Sequence, residues 1–246
     1  MFERVQAFVD DAGRVETEAA LSDLIGQVCA DLHFDYFALT HHVDPRRGPR
    51  PTIRLANYPA EWVDYFDRHR LGPVDPIHRA SHLTSVGFVW SQVPAMIALT
   101  KRDVDILEGA ARSGLGDGFT IPAHVPGETL GSCSFATQRG RSLDGEVLPA
   151  AQLVGLFAFE AARRLYRVRS SDVAVPALTD RQRDCVVWAA RGKSDWEISR
   201  ILGISHETVI AHVKQARERY GVAKRTLLAI HALLDGTISF LDVMNR

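Results

Sequence analysis

Within residues 178–235, helix start and stop signals follow one another with almost no room for connections. One helical segment carries Ser194 and, three residues later, Glu197, which together form the signature of a capping box. This segment ends at Gly203, and the next begins after Ser205, a residue type that caps helix N-termini. Two helices joined so tightly must cross at a sharp angle, and the pattern therefore predicts a helix-turn-helix.

The second helix of this pair has an apolar face and a polar face. The residues expected to pack inward are Val209, Val213, Ala216 and Tyr220. The opposite face offers short side chains that could contact base edges and, with a lysine upstream, cations that could contact phosphates. These DNA-binding candidates are Lys193, His206, Glu207, Thr208, Ile210, Ala211, Lys214 and Arg217. The alternative is a solvated charged face on an ordinary helical bundle.

The distribution of charge favours a nucleic-acid contact at this end of the chain. From residue 176 onward, 11 Lys and Arg stand against 8 Asp and Glu, a net charge of +3. The rest of the chain carries −4, for a total of −1. A basic segment joined to an acidic one is consistent with DNA binding, although charge alone is a weak indication.

The composition is that of an ordinary globular protein. The chain has 246 residues, enough for two domains, with 46% hydrophobic and 24% charged residues. Its three cysteines are far apart and indicate neither a disulfide framework nor a metal knuckle. Neither a secretory signal nor an apolar run of about 18 residues is visible, so we expect a cytoplasmic protein without membrane contact.

The pattern of elements predicts an α+β fold class with two domains. Residues 1–168 contain helical segments before and after a few strand-like runs, which predicts an α-β-α sandwich around a small antiparallel sheet. Residues 169–177 mix Ser, Asp and Pro and are the predicted linker. Residues 178–246 are the predicted all-α domain, a four-helix helix-turn-helix domain.

The C-terminal domain resembles the LuxR-type helix-turn-helix. The family's pattern matches Leu178, Thr179, Arg181, Trp188, Ala190, Gly192, Lys193, Glu197, Ile198, Ile204, Ser205, Thr208, Val209 and His212. One departure is Gln182, where the family usually has Glu, and Gln keeps the hydrogen-bonding capacity but loses the charge.

The segment "NYPAEWVDYF" places Tyr58, Trp62 and Phe66 at four-residue intervals, which predicts neighbouring turns on one helical face. On spacing alone, such a stripe is more typical of a core than of a ligand site. Asp75 before Pro76 is likewise typical of a turn or a helix cap.

The joint order of these residues changes that interpretation. Together with Trp90 and Gly118, they resemble the input domain of LuxR-type regulators that sense N-acyl homoserine lactones. The resemblance implies that Trp62 donates to the lactone carbonyl, Asp75 accepts from the amide N–H and Tyr58 donates to the acyl carbonyl. Ser134 matches a further contact position, and Trp90 is expected to shape the pocket. Phe66 departs from the common Tyr and leaves a more apolar wall.

The resemblance also implies the partners. We expect a homodimer that binds an inverted repeat in double-stranded DNA and contacts RNA polymerase, with no cofactor beside the lactone. The long apolar-faced helix "VLPAAQLVGLFAFEAARRLY" could contribute to the dimer surface or pack against its own sheet.

Two alternatives remain open. The first is a LuxR-type regulator that responds to a different small molecule. The second is a metal-binding or hydrolytic domain tethered to a DNA-binding head, because His78 and His82 have a spacing that zinc can use. No third ligand completes that set and no catalytic motif is visible, so we expect an exposed histidine pair and a protein that is not an enzyme.

Overall fold

The computed structural model describes residues 2–43, 52–125, 128–169 and 176–244. The chain divides into two compact units, Met1–His124 with Thr129–Ser171 and Val125–Glu128 with Asp172–Arg246. Most of the predicted linker lies outside the described residues, as do the segment "DPRRGPRP" and part of "PGE", for which the sequence predicts turns. No helix in the described ranges is long and apolar enough to cross a membrane.

The first unit is built on a five-stranded antiparallel sheet with the order β2-β1-β5-β4-β3. The strands are β1 (Tyr36–His41), β2 (Arg54–Ala56), β3 (Phe88–Val89), β4 (Leu115–Ala123) and β5 (Gly131–Gln138). Ser134 on β5 pairs with Ala38 on β1 and with Thr120 on β4, so these three side chains lie side by side.

One face of the sheet is covered by α1 (Phe2–Ala12), α2 (Glu18–Asp31) and α7 (Leu148–Arg169). These helices enclose the largest apolar core, in which Phe37 and Phe135 are no more than 1% exposed. Apolar residues at helical spacing predict an α2 face that includes Ala20, Leu21 and Ile25. Leu21 and Ile25 are buried, whereas Ala20 is exposed and does not belong to the packed face.

The other side of the unit carries four helices, α3 (Ala60–Arg68), α4 (Pro76–Ser81), α5 (Val93–Met96) and α6 (Lys101–Arg112). Their apolar side chains form two small clusters, one around Trp62 and Leu115 and one around Ile77 and Phe88. The predicted α-β-α sandwich is therefore confirmed. The short strands β2 and β3 were not predicted, because three or two residues give too brief an alternation to detect.

The second unit contains α8 (Asp180–Ala190), α9 (Asp195–Leu202), α10 (His206–Arg219), α11 (Arg225–Leu234) and the short α12 (Phe240–Met244). The first four are the expected helices, and α12 adds one turn that the sequence pattern did not predict. Val209, Val213 and Ala216 are buried and Tyr220 is half-buried, as predicted. The capping box of Ser194 and Glu197 is present.

The turn between α9 and α10 depends on glycine. Gly203 has φ of 66°, in the left-handed region, and it caps the C-terminus of α9.

The departure at Gln182 is accommodated within the core of this unit. Its side-chain amide donates to Gln215 Oε1 at 2.9 Å and accepts from the Thr179 N–H at 3.1 Å, so a neutral amide pair satisfies the buried site.

Candidate ligand pocket and DNA-binding surface

A cavity of about 760 Å³ lies beside the sheet, lined mainly by β1, α3, α4 and α6. All six predicted ligand contacts line it, and they are Tyr58, Trp62, Phe66, Asp75, Trp90 and Ser134. Much of the remaining wall is apolar, with Val63, Leu71, Ile106, Leu107, Ala110 and Leu115. A cavity with an apolar wall and a few polar groups is suited to a small amphiphilic molecule.

Asp75 combines two roles that the sequence presented as alternatives. It is the N-cap of α4, and its Oδ1 accepts from the backbone N–H groups of Ile77 at 2.7 Å and His78 at 3.1 Å. The residue is only 7% exposed. Oδ1 thus fixes the carboxylate to the helix, whereas Oδ2 has no hydrogen-bond partner among the described residues, and Asp75 lines the cavity.

Trp62 and Tyr58 bring hydrogen-bond donors to the same cavity. Trp62 is 5% exposed and lies on α3, and no described group accepts from its Nε1. Tyr58, however, does not lie on the helix, because α3 begins at Ala60 after the N-cap Pro59. The predicted continuous helical stripe is therefore wrong for Tyr58, although the residue still reaches the cavity wall.

The phenol of Tyr58 is held in its protonated form. Burial raises its pKa, and the nearby Asp75 carboxylate raises the pKa further, while a hydrogen bond with Ser134 partly opposes this. Tyr58 is thus a permanent O–H donor near neutral pH.

Trp90, Thr120 and Ser134 form a connected chain of hydrogen bonds. The indole Nε1 of Trp90 donates to Thr120 Oγ1 at 2.8 Å, and Thr120 Oγ1 lies 2.8 Å from Ser134 Oγ. The indole N–H of Trp90 is therefore already hydrogen-bonded within the protein, which is consistent with the predicted role of Trp90 in shaping the pocket. Thr120 was missed by sequence reasoning, since only the strand register places it beside Ser134.

Gly118 is required by the packing of Trp90. A Cβ atom at this position would lie 2.4 Å from Trp90 Cε2, closer than real side chains approach. Gly118 lies within β4 rather than in a turn, and its missing side chain is the space that the indole ring fills.

Phe66 supplies an aromatic wall without a polar tip. Its ring makes edge contacts with Trp62, at a centroid distance of 5.9 Å, and with His78, at 6.0 Å. His78 itself lines the cavity and stacks on His42 at 3.9 Å. The expectation of an exposed histidine pair is therefore wrong for His78, while His82 is exposed. No group of side chains in the described ranges could hold a metal ion.

The DNA-binding candidates differ in how freely they face solvent. His206, Glu207, Ile210, Ala211 and Lys214 are exposed on α10, and Thr208 is half-buried beside the N-cap Ser205.

Two of the candidate cations contact their own unit. Arg217 donates to the Ala223 carbonyl at 2.7 Å, and Lys193 pairs with Glu197 at 3.1 Å. Lys214 is 66% exposed, with Glu218 at a loose 3.9 Å. Lys214 is thus the candidate cation that is most available to a phosphate.

Family comparisons agree with both sites. Residues 17–162 match the model of the autoinducer binding domain, and residues 176–232 match that of the bacterial regulatory proteins of the luxR family.

Individual relatives match over most of the chain. The quorum sensing-dependent transcriptional regulator RpaR of Rhodopseudomonas palustris is 32% identical over 96% of this chain and 95% of its own length. The transcriptional activator LuxR of Aliivibrio fischeri is 30% identical, covering 89% and 86%.

Among solved structures, Escherichia coli SdiA aligns with a TM-score of 0.69 and 25% identity, over 96% of this chain and 98% of SdiA. A second SdiA structure, in complex with octanoyl-rac-glycerol, has the same TM-score and identity and covers 97% and 96%. The relatives are transcription regulators and not enzymes. The chain belongs to the LuxR family of quorum-sensing transcription regulators, with an autoinducer-binding domain followed by a DNA-binding domain.

Proposed function

We propose that this regulator binds an N-acyl homoserine lactone in the cavity and binds an inverted repeat in promoter DNA as a homodimer. The observation that carries the proposal is a pair of unused polar groups in a buried apolar site. Trp62 Nε1 is a donor and Asp75 Oδ2 is an acceptor, neither has a partner among the described residues, and both residues line the cavity. A lactone with an amide-linked tail offers a carbonyl acceptor and an N–H donor, which would satisfy both.

The remaining contacts follow from the same complementarity. Tyr58, kept protonated by its surroundings, and Ser134 would donate to the acyl carbonyl. The acyl tail would then lie against the apolar wall that includes Phe66 and Leu71. Since an empty apolar cavity forfeits contacts on its inner surface, the ligand would also stabilise the first unit.

A second candidate ligand is an acyl glycerol, because SdiA was solved with octanoyl-rac-glycerol. An acyl glycerol has an acyl tail and hydroxyl groups but no amide N–H. The two ligands therefore make different demands on residue 75, because an amide N–H requires an acceptor there, whereas a glycerol hydroxyl can either donate or accept.

Replacing Asp75 with Asn distinguishes the two ligands. Asn keeps a good helix cap through its Oδ1, but it presents an NH₂ donor where a carboxylate oxygen stood. We expect N-octanoyl homoserine lactone to bind about tenfold more weakly to Asp75→Asn, by loss of one charge-assisted hydrogen bond. Asp64→Asn, on the exposed side of α3, is the matched control. Equal lactone affinity in the wild type, Asp75→Asn and Asp64→Asn would contradict the proposal. If only octanoyl glycerol bound, an acyl glycerol would replace the lactone as the proposed ligand.

The DNA-binding proposal rests on α10. One helix presents only a few short side chains to base edges, so a single head would read a few base pairs, and two heads on an inverted repeat would multiply both affinity and specificity. The exposed apolar residues Leu153, Leu156 and Phe157 on α7 are our candidates for part of the dimer surface. The same helix buries Val154 and Ala158, so it also packs on its own sheet.

Binding to duplexes selected from a random library tests the DNA contacts. Lys214→Ala should weaken binding to all duplexes alike and reduce the salt dependence by about one phosphate contact per head, or two per dimer. Thr208→Ala should instead alter the sequence preference at one position of each half-site. Selected sequences without a repeat, or salt dependence unchanged in Lys214→Ala, would contradict this part of the proposal. RNA polymerase remains the proposed partner at the promoter.

A further inference from the structure

Four histidines meet at one end of the sheet face that borders the cavity, and we call them the histidine cluster. His42 follows β1, His124 follows β4, and His78 and His82 lie on α4 and at its C-cap. The ring of His42 stacks on His78 at 3.9 Å, and its Nδ1 lies 2.8 Å from His82 Nε2. His124 approaches His82 with a centroid distance of 5.7 Å. The cluster therefore joins both strands to α4.

The hydrogen bonds fix where several protons lie. His78 Nδ1 must donate to the Gly72 carbonyl at 2.9 Å, and His124 Nε2 must donate to the Ser81 carbonyl at 2.9 Å. His42 and His82 share a single proton between their facing nitrogens, since one must donate and the other accept. The second nitrogen of His42 bonds Ser132 Oγ at 2.9 Å. Each ring is thus satisfied in its neutral form.

The cluster connects solvent with the ligand site. His82 is exposed, His42 is 9% exposed, and His78 lines the cavity. The helix that carries His78 begins at Asp75, the proposed acceptor for the ligand amide. Further contacts hold α4, among them the bond from His124 to the Ser81 carbonyl at 2.9 Å and the pair of Arg79 with Asp103 on α6 at 2.8 Å. Losing the contact between His42 and His82 would remove one of these contacts and loosen the C-terminal end of α4.

The surroundings of the cluster oppose a positive charge. Burial lowers the pKa of His42, and His78, His82, His124 and His41 lower it further. Burial also lowers the pKa of His82, followed by His124 and His78. Among the described residues, these are the groups that act on the two rings, and none of them is a carboxylate. An added proton would therefore place an uncompensated charge inside the cluster.

We infer that His42 and His82 are positioning residues, which hold α4 and Asp75 in place for the ligand only while the histidine cluster is uncharged. When the pair takes up a proton, the uncompensated charge is moved out of the cluster as His82 turns toward water. This movement breaks the hydrogen bond between His82 and His42. The α4 end then loosens, and Asp75 is no longer held against the cavity. The effect on ligand binding rests on the proposed function, whereas the effect on α4 does not.

Hydrogen exchange in the full-length, ligand-free protein tests the effect on α4 directly. The amides of Ile77 and His78 donate to Asp75 Oδ1, so their protection reports whether the cap is intact. After correction for the intrinsic pH dependence, we expect protection of the amides of residues 77–81 to fall about threefold to tenfold between pH 7.5 and 5.5. In His82→Gln, which keeps hydrogen-bonding groups but does not titrate, protection should change less than about twofold. His69→Gln, at the C-cap of α3 and outside the cluster, should behave as the wild type.

A second measurement follows the affinity for N-octanoyl homoserine lactone over the same pH range. If the free protein takes up one proton that the lactone-bound form excludes, lactone binding weakens by at most about tenfold for each unit that the pH falls. The readout is the ratio of affinities at the two pH values, so a uniform loss of affinity in a variant does not affect it. We expect a ratio of about threefold or more in the wild type and in His69→Gln, and less than about twofold in His82→Gln.

The two measurements separate the possible failures. If the lactone does not bind at either pH, the proposed function fails, and hydrogen exchange alone decides the role of the cluster. If wild type and His82→Gln lose protection equally on acidification, or neither loses it, the positioning role is overturned. Protection that falls only in proteins with His82 supports it.

Discussion

On one face of the central sheet, Phe37 and Phe135 are enclosed by α1, α2 and α7, whereas the neighbouring residues Ala38 and Ser134 border a cavity of about 760 Å³. The two faces are made by the same strands, because successive side chains point to opposite sides. Along β5, Cys133 and Phe135 fill the packed face, and small or hydroxyl residues occupy the other. A shift of one residue therefore separates the side chains that stabilise the fold from those that we propose to bind the ligand.

The difference between the faces assigns stability and binding to separate sets of residues. The packed face is complete without a ligand, since its side chains already contact one another. The opposite face, which carries Ala38 and Ser134 and borders the cavity, is called the hollow face. It keeps the connected polar groups of Trp90, Thr120 and Ser134 and an apolar wall that a ligand would cover. Substitutions on the two faces should consequently separate the free energy of unfolding from ligand affinity.

The largest effect is expected on the packed face. Phe135→Ala removes a fully buried ring between the sheet and its helices and should lower the free energy of unfolding by about 3–5 kcal/mol. Ser134→Ala, one residue away on the hollow face, should change it by less than about 1 kcal/mol and weaken lactone binding instead. Urea unfolding and lactone titration of the two variants check this, and equal losses of stability would break the comparison.

The next effect concerns the indole that shapes the cavity. Gly118→Ala places a Cβ against Trp90 and should cost about 1–3 kcal/mol, as other overpacked sites do. Gly145→Ala, where nothing lies within 4 Å of the added atom, is the matched control. A shift in the Trp90 contribution to fluorescence, together with weaker lactone binding, would locate the change on the hollow face. Unchanged binding and stability would show that Trp90 moves freely.

A smaller effect is expected from pH. Since the pKa of His42 is lowered in the folded protein, the unfolded chain binds more protons below its usual pKa of about 6.5. Stability from this group is therefore complete above that pH and is lost as pH falls, by about 1.4 kcal/mol at pH 5.5. His42→Gln should reduce the difference in unfolding free energy between pH 7.5 and 5.5 by that amount in parallel urea titrations. An identical pH dependence in both proteins would contradict this assignment.

The smallest effect sharpens the description of the hollow face. Phe66→Tyr adds a hydroxyl to a half-buried ring, and we expect the stability to change by no more than about 0.5 kcal/mol. The affinity order among lactones should shift toward tails that carry a hydrogen-bonding substituent. Competition titrations with tails of equal length measure this order. An unchanged order would place Phe66 away from the polar part of the tail.

The sequence predicted the second unit better than the first. Capping residues such as Ser194 and Ser205 act within one turn, so local patterns predict α9 and α10 almost to the residue. The pocket residues were identified by resemblance, and their types could not reveal which partners they meet. Thr120 reaches Ser134 only through strand register, and His42 reaches His82 across 40 positions of the chain. Tyr58 was predicted to lie on α3, but α3 begins only after Pro59. The predicted helix boundary was therefore wrong, although Tyr58 still lines the cavity.

The central claim is that the hollow face is completed by an N-acyl homoserine lactone. The most direct test is the melting temperature of the full-length protein with a panel of these lactones that differ in tail length, branching and aromatic character. A lactone at 100 times its dissociation constant should add about 2.7 kcal/mol and raise the melting temperature by about 5–10 °C. A rise for one tail, reduced to about half in Asp75→Asn at the same lactone concentration, is the predicted result. No rise for any lactone, with a rise for octanoyl glycerol or another small molecule, would contradict the account.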